Sequence, residues 1–270
     1  MTSKTSSSAA VNHEVVIVGA GFSGLGAGIK LREAGIEDFV ILDAADGVGG
    51  VWRHNTYPGV AVDIPSTTYS YSFEPNPDWS RAFAPGRELR AYAEHCADKY
   101  DLRRHLRLHT YVEQAVFDER LDVWRVHTSE GVITTRFLVG AVGPLDKPHM
   151  PDIEGVARFA GQVIHTARWN HDADLRGKRI AVIGTGASAL QLIPEIAGGA
   201  QQLDVYQRTA IWVMPKVDFA IAREVQALFE AAPPTQQLMR VVTSAATEVI
   251  MVLGVVQRTK FPFLVRAMER

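Results

Sequence analysis

Three glycines and one aspartate near the start of the chain have the types and spacing of a nucleotide-binding site. Gly19, Gly21 and Gly24 directly follow the β-branched run at residues 15–18. The first glycine allows a tight turn, the second lets the backbone approach a diphosphate, and the third lets a helix pack on the strand. Asp43 follows roughly 20 residues later, where a carboxylate can accept hydrogen bonds from a ribose. This spacing predicts an adenine-dinucleotide site.

The elements around this loop are predicted to position it. Residues 15–18 predict a buried strand, residues 23–34 a helix and residues 39–42 a second strand. The free N–H groups at the start of such a helix attract phosphate, and Phe22 and Ser23 are the predicted contact residues there. An acid after the second strand disfavours a 2′-phosphate, so FAD or NAD is expected rather than NADP. A tight connection that binds no ligand is the alternative.

A second glycine pattern repeats this arrangement later in the chain. A predicted strand at residues 178–183 and a predicted helix at residues 190–197 flank a loop whose expected nucleotide contacts are Gly184, Thr185, Gly186, Ala187 and Ser188. The next predicted strand, residues 203–207, is followed by Arg208 and Thr209 instead of an acid. A guanidinium suits a 2′-phosphate and predicts NADP(H), unless Arg208 is an ordinary surface arginine. Two sites of opposite preference predict two nucleotides, an electron donor and an electron acceptor.

Composition and charge exclude several other function classes. The chain has 270 residues, of which 47% are hydrophobic and 21% charged, and a formal net charge of -2. These values are ordinary for a globular protein and give no reason to expect a nucleic acid or an anionic membrane as partner. The single cysteine, Cys96, excludes an intramolecular disulfide, favours a reducing, cytoplasmic compartment, and is expected to be buried. No metal site is expected.

The two ends of the chain give weaker signals. Residues 1–12 lack the apolar core of a secretory signal and are predicted to be a disordered tail. Residues 241–256 are apolar but too short to span a bilayer, and Glu248 lies in their middle. Helical spacing predicts a buried amphipathic helix and no stable membrane insertion, with a core face formed by Leu238, Val241, Ala245, Val249, Val252 and Val256.

Residues 47–66 have neither helical nor strand period and are rich in Gly and Pro. They nevertheless contain Gly50, Trp52, Tyr57 and the carboxylate of Asp63. Polar and aromatic groups on an ordered loop commonly serve a ligand. A surface loop that its aromatic residues merely anchor is the alternative, and composition leaves both open.

The remaining patterns predict an α/β fold with two Rossmann-like dinucleotide-binding domains, the second incomplete, and a C-terminal helical segment. Further elements are expected as a strand at 69–73, a helix at 88–100, a hairpin of 124–127 and 132–134, a buried strand at 137–143, and helices at 221–231 and 238–257 divided by Pro233 and Pro234. The expected organisation is a tail at 1–12, an FAD domain at 13–150, a linker at 151–177, an NADP domain at 178–215 and a helical segment at 216–270.

Two longer motifs are matched in addition to the glycine loops. The pattern G-x-W-x-x-x-x-[FY]-P-[GM]-x-x-x-D is matched by Gly50, Trp52, Tyr57, Pro58, Gly59 and Asp63. The pattern F-x-G-x-x-x-H-x-x-x-W is matched by Phe159, Gly161, His165 and Trp169. Over about residues 15–215 the chain therefore resembles the Baeyer–Villiger monooxygenases, relatives of the flavin-containing monooxygenases. Trp169 favours the Baeyer–Villiger branch, although Asn170 replaces the usual Pro or Asp, and the Arg208–Thr209 pair resembles the family's NADP motif.

The resemblance implies an enzyme with FAD that takes hydride from NADPH and inserts one oxygen atom of O₂ beside the carbonyl of a ketone, giving an ester or lactone. Its partners would be a small-molecule ketone and O₂. By the same resemblance Asp63 lies near the flavin and pairs with a catalytic arginine, and His165 serves domain movement and coenzyme binding. Without the resemblance, a lone histidine is usually a hydrogen-bonded structural residue, and this stays the alternative for His165. Oxygenation of amines or sulfides is an alternative reaction.

In this family the chain returns to complete both domains, and nothing after residue 215 resembles the returning strands or the segment with the catalytic arginine. A parallel sheet that lacks its later strands leaves an edge and an apolar face uncovered. Three alternatives stay open: a truncated fragment, a second polypeptide that supplies the remainder, or tail helices that cover the sheet. A catalytically silent nucleotide-binding fragment is the competing function.

Overall fold

The computed structural model of the chain describes residues 10–211, 213, 216–250, 252 and 260. These residues divide into two compact units, one from the described parts of Met1–His54 and Leu89–Ala160, the other from those of Asn55–Glu88 and Gly161–Arg270. Each unit contains one glycine loop, and helices follow the second loop. The predicted α/β fold with two Rossmann-like domains and a C-terminal helical segment is therefore confirmed. The domain limits proposed above stay a prediction, and most of the predicted tail lies outside the described residues.

The first unit contains a six-stranded mixed sheet. Its strands are β1 (His13–Val18), β2 (Phe39–Leu42), β3 (Leu106–Arg107), β4 (Val112–Asp118), β5 (Val123–Thr128) and β6 (Gly131–Gly140). They lie in the order β3-β2-β1-β6-β5-β4; β2 and β6 run parallel to β1, and β5 runs antiparallel to both of its neighbours. The carboxyl end of β1 lies where the strand order reverses, which is where ligands bind in open α/β sheets.

Helix α1 (Phe22–Glu33) connects β1 to β2, and its buried side chains contribute to this unit's core. Leu25 and Ile29 of α1 are fully buried, as are Ile17 of β1 and Ile41 of β2. Burying each such side chain contributes about 1.5–3 kcal/mol. α2 (Val51–His54) is a single turn, and α3 (Gly86–Lys99) confirms the helix predicted at residues 88–100. Cys96 of α3 is fully buried, as expected.

The hairpin predicted after α3 is confirmed by β5 and β6, which meet at Thr128 and Gly131. The separate buried strand predicted at residues 137–143 is wrong in two respects. It is the second half of β6, which ends at Gly140. It is also not buried, because Phe137 is 59% exposed although Ile133 and Thr135, on the same face of the strand, are buried. An unbroken apolar run predicts burial on both faces, and the described residues cover only one at this point.

The second unit contains a strand, a helix and a strand that confirm the second nucleotide pattern. They are β7 (Arg179–Ile183), α4 (Ala187–Ala197) and β8 (Gln202–Tyr206). β7 and β8 pair in parallel, and they are the only strands of their sheet among the described residues. The helices α5 (Arg223–Ala231) and α6 (Pro233–Val249) follow. No helix in the described part of the chain is long and apolar enough to cross a bilayer.

Helix α6 differs from its prediction at its start. It begins at Pro233 rather than at residue 238. The two prolines lie at the division between α5 and α6, as predicted, but they occupy the first positions of α6, where their missing N–H groups need no partner. The C-terminal part of the predicted helix falls mainly outside the described residues.

The buried face of α6 is also the opposite of the predicted one. Leu238 and Val241, expected in the core, are 65% and 64% exposed. Gln236, Arg240 and Thr243 instead face the body of the unit, where their side chains make hydrogen bonds. The apolar spacing correctly predicted a helix, but not which face is covered.

The strand predicted at residues 69–73 is wrong, because this segment forms bends followed by a turn. The guanidinium of Arg240 on α6 donates through Nη1 to the carbonyls of Thr67 and Ser70, both at 2.9 Å. One donor group can form hydrogen bonds with two carbonyls three residues apart only where the backbone turns. Tyr71 and Phe73 stack with ring centroids 5.0 Å apart, which a strand would also allow, so their spacing alone did not distinguish the two structures.

Candidate functional site

The first glycine loop connects the end of β1 to the start of α1. Gly19 has a φ of +110°, and its N–H donates to the Leu42 carbonyl at 2.7 Å, which fixes the loop beside the end of β2. A Cβ at Gly19 would lie 2.3 Å from the Ala141 carbonyl oxygen, and a Cβ at Gly24 would lie 1.8 Å from the Gly19 carbonyl oxygen. Both positions therefore require glycine.

Gly21 has a different environment, because a Cβ there would have only the backbone of Gly50 nearby, 3.6 Å from its Cα. The loop is thus open at the N-terminus of α1, which is where a diphosphate needs close access to backbone N–H groups. Phe22 and Ser23 form the first turn of the helix, and the Phe22 ring lies 5.8 Å from that of Tyr92. The glycines of the loop and its open side fit a dinucleotide.

Asp43 lies at this loop, as its spacing predicted. Its Oδ2 accepts a hydrogen bond from the Ala20 N–H at 2.6 Å, and its Oδ1 accepts one from the Ala45 N–H at 2.8 Å. These bonds orient the carboxylate, and each oxygen retains a lone pair for a ribose hydroxyl. The ribose contact itself stays a prediction.

The glycine-rich segment before α2 packs on the same loop. The Gly49 N–H donates to the Ala20 carbonyl at 3.0 Å. Arg53 of α2 binds the residue that precedes this segment, because its Nε donates to the Asp46 carboxylate at 2.6 Å. Its Nη1 also lies 3.4 Å from a carboxylate oxygen of Glu94. The hydrogen bond with Arg53 lowers the pKa of Asp46 to about 2. Trp52, a predicted cofactor residue on α2, is half-buried.

The second glycine loop has the same backbone construction as the first. Gly184 has a φ of +103°, and its N–H donates to the Tyr206 carbonyl at the end of β8 at 2.8 Å. A Cβ at Gly186 would have no neighbour within 4 Å, so this loop is also open at the start of its helix. Arg208 and Thr209, both exposed, follow Tyr206 by two and three residues. A phosphorylated ribose fits this combination of open loop and cation.

Tyr57 and Trp169, one from each of the longer motifs, belong to the same hydrophobic cluster in the second unit. Tyr57 is 5% exposed and lies with Leu192 and Ile196 of α4, and Trp169 packs against them. Burial raises the pKa of the Tyr57 phenol; a hydrogen bond with Ser188 opposes this and the charge of Asp63 adds to it. Tyr57 thus anchors its loop to α4, and its cofactor contact stays a prediction.

Asp63 is exposed, and its carboxylate accepts a hydrogen bond from Gln191 of α4 at 2.7 Å. Sequence reasoning missed Gln191. The available signal was its polarity, since it lies between Leu190 and Leu192 in an otherwise mostly apolar helix. Its partners lie about 130 residues earlier in the chain, so spacing could not reveal them.

His165 makes a local contact. Its Nδ1 accepts a hydrogen bond from the Ala167 N–H at 3.1 Å and caps the 3₁₀ turn Thr166–Arg168. This contact matches the structural alternative for a lone histidine, and the role that the resemblance gives to His165 stays a prediction.

Comparison with protein families places these features in a known group. The family model described as pyridine nucleotide-disulphide oxidoreductase matches residues 16–257, which include both glycine loops. The chain belongs to this family. As a member of the pyridine nucleotide-disulphide oxidoreductases, it can be compared with relatives of similar sequence and structure.

Two curated relatives are Baeyer–Villiger monooxygenases. The chain is 49% identical over 226 residues to one from Streptomyces coelicolor, covering 84% of this chain and 44% of the relative. It is 45% identical over 241 residues to one from Pseudomonas aeruginosa, covering 89% of this chain and 46% of the relative. The predicted resemblance to Baeyer–Villiger monooxygenases is confirmed, and the chain spans less than half the length of these relatives.

Solved structures give the same result. The chain superposes on an oxidized steroid monooxygenase bound to NADP with a TM-score of 0.75 and 44% identity, covering 81% of this chain and 43% of that one. It superposes on OTEMO in complex with FAD and NADP with a TM-score of 0.78 and 36% identity, covering 84% and 45% respectively. This pyridine nucleotide-disulphide oxidoreductase chain therefore shares its fold with flavin monooxygenases.

Proposed function

We propose that this chain carries the nucleotide-binding part of an FAD- and NADPH-dependent monooxygenase of the Baeyer–Villiger type. The observation that carries the proposal is the pair of glycine loops, which have the same backbone construction but opposite charges beside them. Asp43 follows the strand beside the first loop, and Arg208 follows the strand beside the second. A carboxylate favours the unmodified ribose of FAD, and a guanidinium favours the 2′-phosphate of NADPH.

The proposed FAD contacts lie mainly in the first unit: Gly19, Gly21, Phe22, Ser23, Gly24, Asp43, Gly50 and Trp52, with Tyr57 and Asp63 added by the resemblance. The proposed NADPH contacts lie in the second unit: Gly184, Thr185, Gly186, Ala187, Ser188, Arg208 and Thr209. The open sides of both loops at Gly21 and Gly186 support these assignments. The crystallisation of similar proteins with NADP, or with FAD and NADP, supports them further.

The proposed overall reaction converts a ketone, O₂, NADPH and a proton into an ester or lactone, NADP⁺ and water. The flavin, when bound, supplies the acceptance of hydride and the activation of O₂. The residues of this chain bind and orient the nucleotides through the two loops. We assign to the Asp63 carboxylate the role of holding a catalytic arginine in its charged form, and to His165 a role in coenzyme binding.

The test is direct. The purified 270-residue chain is examined for flavin absorbance, and NADPH consumption is followed with cyclic and linear ketones while ester is detected by mass spectrometry. Retained flavin is the expected result, because the proposal assigns the FAD site to this chain. Ketone-dependent NADPH consumption with ester formation would show in addition that the chain is active by itself. Absence of bound flavin after reconstitution with FAD would refute the proposal.

Two alternatives have distinct outcomes in the same assay. Flavin binding without ester formation would favour a nucleotide-binding fragment, or a protein that needs a second polypeptide to complete its domains. Sulfoxide or N-oxide formation without ester would favour heteroatom oxygenation. The chain spans 44% and 46% of two relatives, so the activity proposed here is that of the whole protein. A cytoplasmic location, favoured by the single cysteine, is part of the same proposal.

A further inference from the structure

We propose that Gln191 is a positioning residue that holds the Asp63-bearing loop on helix α4 and makes that loop respond to coenzyme binding. The inference deepens the proposed function and rests on it for the identity of the coenzyme. It concerns residues 57–63, which we call the fingerprint loop, and α4, whose first turn follows the second glycine loop. Loop and helix belong to the same compact unit.

The side-chain amide of Gln191 makes four hydrogen bonds, all to the fingerprint loop. Its Oε1 accepts from the Tyr57 hydroxyl at 2.8 Å and from the Ala61 N–H at 3.3 Å. Its Nε2 donates to the Ala61 carbonyl at 3.0 Å and to the Asp63 carboxylate at 2.7 Å. Two donor hydrogens and two acceptor positions are the full capacity of a glutamine amide, so every one is used on this loop.

These four bonds require an amide. A carboxylate in its place could accept from Tyr57 and Ala61, but it would repel Asp63 and leave the Ala61 carbonyl without its donor. A hydrocarbon side chain would remove all four bonds and leave half-buried polar groups of the loop unpaired. Gln191 therefore fits this place because it pairs with a backbone amide and a carboxylate at once.

The backbone of the fingerprint loop also lies directly against α4. Gly59 has a φ of +80°, and a Cβ there would lie 2.4 Å from the Gln191 carbonyl oxygen. Together with the buried Tyr57 ring, this close approach fixes the loop on one side of the helix. Asp63 lies at the end of this fixed segment and is itself exposed, so its carboxylate is oriented but accessible.

Gln191 lies four residues after Ala187, the first residue of α4, which is one helical turn. The proposed diphosphate position at the start of α4 and the Asp63 carboxylate are thus joined through a single turn of helix and one side chain. A ligand that orders the first turn of α4 should also steady Gln191 and the fingerprint loop. By linkage, order in the loop then favours coenzyme binding.

The test measures backbone hydrogen exchange at Ala61, whose N–H donates to Gln191. The variant Gln191→Leu removes the amide, and Gln191→Asn keeps an amide that is one methylene too short. The matched control is Gln202→Leu, which removes a glutamine that donates to the Asp204 carboxylate on exposed β8. Exchange is followed with and without NADP⁺, NADP⁺ affinity is measured by calorimetry, and circular dichroism verifies folding.

Without nucleotide, we expect exchange at Ala61 to be at least about fivefold faster in both Gln191 variants and unchanged in the control, since one hydrogen bond is lost. With NADP⁺, exchange at Ala61 should slow in the wild type and the control but not in Gln191→Leu. Unchanged exchange in the folded Gln191→Asn protein would overturn the positioning role. Equal protection by NADP⁺ in Gln191→Leu and wild type would overturn the link to the coenzyme.

Failure of the proposed function is distinguishable from failure of this inference. A wild-type chain that does not bind NADP⁺ would refute the coenzyme assignment and the coupling together. The exchange rates without nucleotide would still decide whether Gln191 holds the loop.

Discussion

At the scale of single residues, the two nucleotide loops are distinguished by the side chain that follows the neighbouring strand. Asp43 accepts two backbone hydrogen bonds at the first loop, and Arg208 is exposed beside the second. The remaining loop geometry is nearly the same, with a left-handed first glycine bonded to the end of the next strand in each. In the proposed function, the choice between nucleotides therefore depends on one charge at each loop.

This predicts a selective effect of Arg208→Ala. Loss of a charged hydrogen bond to a 2′-phosphate should raise the Kd for NADP⁺ roughly ten- to hundredfold, whereas the Kd for NAD⁺ should change less than about twofold. Titration calorimetry with both coenzymes measures the ratio. Arg176→Ala, at another exposed arginine of the same unit, is the control. An unchanged preference for NADP⁺ would remove Arg208 from the site.

The pair formed by Asp46 and Arg53 predicts a pH effect at the first loop. The pKa of Asp46 is lowered from 3.8 to about 2, chiefly by the hydrogen bond with Arg53. A lowered pKa in the folded state stabilises the fold above pH 3.8, and this contribution disappears as the pH falls from 3.8 towards 2. In Arg53→Gln we expect the pKa of Asp46 to return to near 3.8, measured by carboxyl NMR titration.

The control for this titration is Arg104→Gln, because Arg104 pairs with Glu37 and not with Asp46. Its Asp46 titration should match that of the wild type. A low pKa of Asp46 that persists in Arg53→Gln would mean that backbone hydrogen bonds, rather than the ion pair, hold the carboxylate ionised.

Sequence reasoning found those residues whose roles follow from local spacing and missed those whose roles depend on distant contacts. Gly19, Gly24 and Asp43 lie within one strand–helix–strand unit, so their geometry follows from the order of elements. Gln191 acts on a loop about 130 residues earlier in the chain. A local sequence pattern cannot predict such a contact, because it forms only when the loop folds onto α4.

At the scale of elements, α6 shows why periodicity alone cannot assign a buried face. Its apolar residues, among them Leu238 and Val241, are exposed, and the residues that bind the neighbouring loop are polar. Arg240 donates to two carbonyls and a hydroxyl, and Thr243 lies within hydrogen-bond distance of the Thr67 and Thr68 hydroxyls. One of these contacts is to Ser70, which lies in the segment where a strand was predicted and is not found.

We therefore predict that a polar residue of α6 matters more for stability than its apolar neighbours. Arg240→Met keeps the length of the side chain but leaves the Thr67 and Ser70 carbonyls without their donor, which should cost about 2 kcal/mol in urea unfolding. Leu238→Gln should change stability by less than about 0.5 kcal/mol, because its side chain is exposed and both residues favour helix. A larger loss for Leu238→Gln would show that its apolar surface is covered in solution.

At the scale of the whole molecule, the chain is not divided into units in simple sequence order. Residues 55–88 follow the first nucleotide loop in sequence, yet they belong to the second unit. Gln191, Lys216 and Arg240 all bond to this segment, to Asp63, Val62 and Thr67 respectively. One crossing between the units lies within residues 47–66, which are rich in Gly and Pro, but this composition does not tell which unit a segment joins. The boundary predicted near residue 150 from Pro and Gly content stays a prediction.

Because each unit has its own core and its own nucleotide loop, we expect two unfolding transitions with separate ligand responses. FAD should raise the midpoint temperature of the first unit, and NADP⁺ should raise that of the second. At a free ligand concentration of 100 times Kd, each ligand should add about 2.7 kcal/mol to the free energy of unfolding of its unit. Scanning calorimetry measures the midpoints, and hydrogen exchange in β1 and β7 assigns them. Arg208→Ala should lose the NADP⁺ response and keep the FAD response. A single transition that both nucleotides shift equally would show that the units unfold as one.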